Sequence, residues 1–140
     1  MGYAYPIDSK VVSNPNGTID YDRASSSAQL RGLIKSMITN GVNMTESTNL
    51  QVIANGTNTL TVKAGYVIIE GAIKHFENDV TVTLPTADMN NSRIDTVVAR
   101  LNLNESVRDI VIDVVSGTAY ATPTEPTLTR TSNYYEVGLA

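Results

Sequence analysis

Residues 92–114, SRIDTVVARLNLNESVRDIVIDV, constrain the fold more than any other stretch of this 140-residue chain. The pattern predicts two β-strands, Asp95–Asn102 and Val107–Val115, joined by a short polar turn at Asn104-Glu105-Ser106. Successive side chains of a strand alternate sides, so Val97, Ala99, Leu101 and Leu103 share one face. Val98, Arg100, Asn102 and Asn104 share the other. The second strand carries Ile110-Val111-Ile112-Asp113-Val114-Val115 and is apolar on both faces. Such a strand belongs either at the centre of a sandwich or beneath another subunit. Gly117-Thr118, a loop spaced by Pro123 and Pro126, and a last strand, Tyr134–Ala140, complete the block.

The segment before it reads the same way. LQVIANG, TLTVKAG, YVIIEG, AIKHFE and VTVTL, between Leu50 and Leu84, are short strand candidates separated by turn residues. Their close spacing predicts an antiparallel meander. Near the start, Ser9–Ser13 and Thr18–Tyr21 flank Asn14-Pro15-Asn16-Gly17, which predicts a hairpin or arm within residues 1–21. One helix is expected within residues 24–40, its regular part about 26–39. There Leu30, Leu33, Ile34, Met37 and Ile38 form one apolar stripe. Ser26 and Gln29 have the spacing of a capping box, and Asn40-Gly41 is a suitable terminator. A helix this short is marginal alone, so the stripe is expected to lie on a sheet.

The expected fold is therefore mainly β (α+β): an antiparallel β-sandwich-like domain with one amphipathic helix packed on it. A single domain spans 1–140, with the β-framework in 49–140. The final YYEVGLA stops in mid-pattern, so the chain is read as the N-terminal part of a longer protein.

Charged residues make up 17% of the chain, which is low, and the net charge is −4. Lys and Arg are scattered, without the basic stripe that follows a phosphate backbone, so no nucleic-acid partner is expected. The chain has no Cys, which excludes disulfides, thiolate nucleophiles and sulfur-based zinc sites. No apolar run approaches the roughly 20 residues of a membrane span, and no membrane insertion is expected.

The residues that carry chemistry elsewhere look structural here. His75, the single histidine, lies between Lys74 and Phe76 and reads as a surface residue. Asp109 and Asp113, four apart on one strand, would place their Cα atoms about 13 Å apart, too far for a glycosidase pair without inward lean. Arg93 and Asp95 flank the start of the strongest strand and could bond backbone there or pair with charges elsewhere, such as Arg100 or Arg130. A structural ion pair is expected rather than a ligand site. No catalytic, cofactor-binding or metal-binding residue is expected, and no cofactor. Tyr3, Tyr5, Tyr134 and Tyr135 are the candidate interface residues, Tyr3 and Tyr5 because a terminal arm has little core of its own to join.

The order of short motifs resembles the N-terminal domains of baseplate and receptor-binding-apparatus proteins, upper baseplate proteins among them, from siphophages and prophages of Gram-positive bacteria. The likeness runs through Tyr21-Asp22-Arg23-Ala24, LRGLIKSMITNGV (30–42), Asn49-Leu50-Gln51-Val52, KAGYVIIEG (63–71) and RIDTVVARLNLN (93–104). It closes with Val115-Ser116-Gly117-Thr118, Pro123 to Pro126, Leu128-Thr129-Arg130 and YYEVGLA. The resemblance implies a non-enzymatic adaptor of the virion, assembled in the host cytoplasm. It would form a homo-oligomer, with a trimer as one option, dock on other tail or baseplate proteins, and carry a distal host-binding module. A carbohydrate-binding module that touches the host wall directly is the alternative.

Overall fold

A computed structural model describes residues 10–21, 25–42 and 47–140; Tyr3 and Tyr5 lie outside them. The fold is mainly β, as the alternation predicts, and all its strand pairs are antiparallel. β1 (Val11–Ser13) and β2 (Ile19–Tyr21) form the expected hairpin, closed by the Gly17 amide donating to the Asn14 carbonyl. α1 covers Ser27–Met37. Then come β3 (Gly41–Val42), β4 (Val52–Ala54), β5 (Thr59–Val62), β6 (Gly65–Ile69), β7 (Ala72–Phe76) and β8 (Val80–Thr83). β9 (Asp95–Asn102), β10 (Asp109–Ser116) and β11 (Tyr134–Gly138) complete the order.

The five strands expected as one meander are all present but divide between two sheets, β4-β5-β8 and β3-β6-β7. The division falls at the corner Lys63–Gly65, where side chains replace strand partners. The Asp79 carboxylate accepts the Ala64 amide at 2.9 Å and pairs with Lys63 at 2.6 Å. The Asn49 side chain accepts the Tyr66 amide at 2.7 Å and donates to the Tyr66 carbonyl at 3.0 Å, as a neighbouring strand would. A Cβ at Gly65 would collide with that Asn49 amide, so only glycine admits it.

The third sheet has the order β10-β9-β11. Of the two places expected for the doubly apolar strand, the structure does not give the central one: β10 is an edge and β9 is the centre. The reason is β11, which returns after the long connection that follows β10 and pairs along the free side of β9, Tyr135 opposite Leu101 and Val137 opposite Ala99. Val97, Ala99 and Leu101 of β9 pack with Ile110, Val62, Val67, Ile69 and Leu50 in one core drawn from all three sheets.

The opposite face of β9 is buried as well. Arg100 there donates to Glu136 on one neighbouring strand at 2.7 Å and pairs with Asp113 on the other. Glu136 is 3% exposed and also accepts the Thr129 amide at 2.6 Å. Leu128 crosses this face, its Cδ1 3.8 Å from where a Gly138 Cβ would stand. Asn102 donates to the Tyr134 hydroxyl at 2.8 Å.

The helix departs from expectation at its end and in its packing. The capping box forms as read, Ser26 Oγ accepting the Gln29 amide and Gln29 Oε1 accepting the Ser26 amide. At the other end Ile38 is already extended, with φ −132°, because Asn40 and Gly41 serve β6 rather than a left-handed cap. Gly41-Val42 pairs with Ile68-Val67, and Asn40 brackets Glu70, accepting its amide at 2.7 Å and donating to its carboxylate at 2.8 Å.

The helix meets the framework at the two-residue β6–β7 turn, where Glu70 (φ 51°) and Gly71 (φ 75°) are both left-handed. Lys35 pairs with the Glu70 carboxylate. The Asn40 hydrogen bond, and after it the Lys35 ammonium, hold that carboxyl below the usual range. A Cβ on Gly71 would collide with the Arg31 carbonyl oxygen. Gly71→Ala is accordingly expected to cost about 1–3 kcal/mol, from left-handed strain plus displacement of the helix. Gly17→Ala is the control: it has a similar φ of 82° but open space around it, so it carries the backbone part alone. Equal thermal midpoints for the two variants would contradict the helix contact.

Candidate interaction surface

The face by which α1 touches the framework carries Arg31 and Lys35. At 3.6 residues per turn, Arg31 lies about 100° round the helix from Leu30, so anchoring this face leaves the apolar stripe turned aside. No residue of α1 is buried; Leu30 is 57% and Met37 67% exposed, and Ile38 is exposed as well. Leu33 and Ile34 are half-buried. The stripe is real, but its expected place on the sheet is not where the structure puts it.

A second apolar surface lies on the N-terminal hairpin. The register pairs Val11 with Tyr21 and Ser13 with Ile19, which sets Val11, Ile19 and Tyr21 on one face. All three are exposed. The outer face of β6-β7 adds a third: Tyr66 and His75 are opposite each other, their rings stacked at 4.0 Å and 5° from parallel, with exposed Ile73 beside them. Contiguous apolar surface on a folded domain marks interaction more often than chance.

The remaining candidates from the sequence are structural in their contacts. Arg93 grips Asp95 through two hydrogen bonds of 2.8 and 3.0 Å and donates to the carbonyls of Pro85 and Thr86, fastening the loop before β9. Asp109 and Asp113 face different cations, Lys74 and Arg100. Hydrogen bonding to the Lys74 ammonium holds the Asp109 carboxyl below the usual range. Tyr134 bonds Asn102, and Tyr135 packs on the core beneath Arg130, whose guanidinium carbon is 5.4 Å from the ring centroid. Both rings thus have contacts within the domain.

Sequence reasoning missed that Leu30, Met37 and Ile38 of the stripe are exposed, and it missed the cleft beside the helix, lined in part by Arg31 and Arg108. Periodicity says which residues share a face, never what lies opposite. Among the described residues no helix is long and apolar enough to cross a membrane, and no group of three His, Asp or Glu is placed to hold a metal. Comparisons with protein-family models, curated proteins and solved structures found no match to this chain.

Proposed function

We propose that this domain is a structural attachment module of a phage tail tip or baseplate, one that associates with copies of itself and with neighbouring tail proteins and carries a host-binding module. The observation that carries the reading is the exposure of Leu30, Met37 and Ile38 on the α1 stripe. A helix that leaves Leu30, Met37 and Ile38 exposed, on a domain whose hairpin also exposes Val11, Ile19 and Tyr21, suits a chain that finishes its packing in an assembly. The low charge of 17% supports the same reading, because interface cores are depleted in charge. The resemblance of the motif order to that of baseplate proteins supplies the setting.

The test is location. Tagged protein should appear at the tail tip in electron micrographs of particles assembled with it. Intact particles that form with the tag absent from the tail would overturn the reading.

The alternative, a module that contacts wall carbohydrate directly, draws on the exposed Tyr66–His75 stack, since aromatic faces suit sugar rings. Titration with cell-wall saccharide separates the two readings: saturable binding lost in Tyr66→Ala favours the second.

A further inference from the structure

Ser27 and Arg31 of α1, Ile73 and Lys74 of β7, and Arg108 and Asp109 at the β9–β10 turn line a cleft of about 410 Å³, a volume in the range of small-ligand sites. Three of these side chains are cations and one is an anion. Lys74 donates to both Asp109 oxygens, at 2.7 and 2.8 Å, so the one carboxylate is already neutralised. The ion pairs among the described residues are Lys35–Glu70, Lys63–Asp79, Lys74–Asp109, Arg93–Asp95 and Arg100 with Asp113 and Glu136. Arg31 and Arg108 belong to none of them. Two guanidiniums outside the ion pairs of the described residues thus line one cleft of a chain whose net charge is −4.

Arg108 is held at the cleft by the β9–β10 turn, which it closes with a left-handed φ of 46° and an amide that donates to the Asn104 carbonyl at 3.0 Å. The cleft is also partly apolar, with Leu101 and Leu103 among its lining.

We propose that this cleft binds an oxyanion, phosphate or carboxylate, borne on a small apolar body. The planar guanidinium presents paired donors that match either oxyanion, and the apolar lining covers the attached group. The proposal stands apart from the attachment reading, and either can fail without the other.

The test is an amide-resolved NMR titration of the whole chain at fixed ionic strength, with phenyl phosphate, benzoate, inorganic phosphate and phenol as probes. Phenyl phosphate or benzoate should produce saturating shifts at residues 72–74 and 108–110. Inorganic phosphate should bind more weakly than phenyl phosphate. Saturation by only one of the two aromatic anions identifies the oxyanion and supports the site. The double variant Arg31→Gln, Arg108→Asn should weaken binding by about tenfold or more, as expected for charge-assisted bonds. Asn tolerates the left-handed turn, so the variant preserves the fold at this position. Shifts that never saturate, equal binding of phenol, or unchanged affinity in the double variant would overturn the proposal.

Discussion

Arg100→Leu is expected to destabilise the domain by about 3–5 kcal/mol, the cost of leaving a buried charge without its partner. Arg100 sits on the central strand β9 between Glu136 and Asp113, one on each neighbouring strand. The two carboxylates differ in what they lose. Asp113 has 47% of its side chain exposed and falls back on water, while Glu136 has 3% and does not. The Thr129 amide then remains as its donor among the bonds described. Glu136→Gln, which keeps the shape and an acceptor for Thr129, should cost less, about 1–2 kcal/mol. The double variant Arg100→Leu, Glu136→Leu should recover part of the loss, because a buried pair replaced by apolar groups is often near neutral. Denaturant unfolding measures all three. A loss below about 1 kcal/mol for Arg100→Leu would mean that Glu136 is solvated and that this face of β9 is open.

Ile69→Ala should cost about 2–5 kcal/mol, the range for deleting most of a fully buried aliphatic side chain. Ile69 closes β6 just before the left-handed turn and is fully buried in the core shared by the three sheets. Ile73, across the same hairpin on its outer face, is 53% exposed. Ile73→Ala should therefore stay within about 0.5 kcal/mol. Thermal unfolding of the pair reads the orientation of the β6-β7 sheet. Similar losses from both variants would place its core face wrongly.

Local pattern and long-range pairing divide what the sequence makes legible. The strands, the hairpin at Asn14–Gly17 and the capping box at Ser26 follow from spacing within a few residues, and the structure has them all. The edge position of β10 depends on β11, which starts only at Tyr134 and which no periodicity in Ile110–Val115 encodes. The two-sheet split rests on Asn49 and Asp79 reaching the corner at Ala64–Tyr66, contacts between side chain and distant backbone. The helix shows the same limit: its stripe is visible in the sequence, but Gly71 and Glu70 fix which face meets the framework. The cleft arginines lie within recognisable segments, 30–42 and 92–114, but their meeting at one cleft is a property of the fold.

Light scattering of the purified chain across a concentration series, compared with the double variant Leu30→Glu, Met37→Glu, tests the central claim most directly. Both side chains are more than half exposed, so the variant should keep a thermal midpoint close to that of the parent. The parent should associate as concentration rises, and the variant should remain at monomer mass, because charge on the stripe opposes burial against another chain. A parent that stays monomeric throughout, or a variant that assembles as the parent does, would contradict the assignment of the α1 stripe as the association surface.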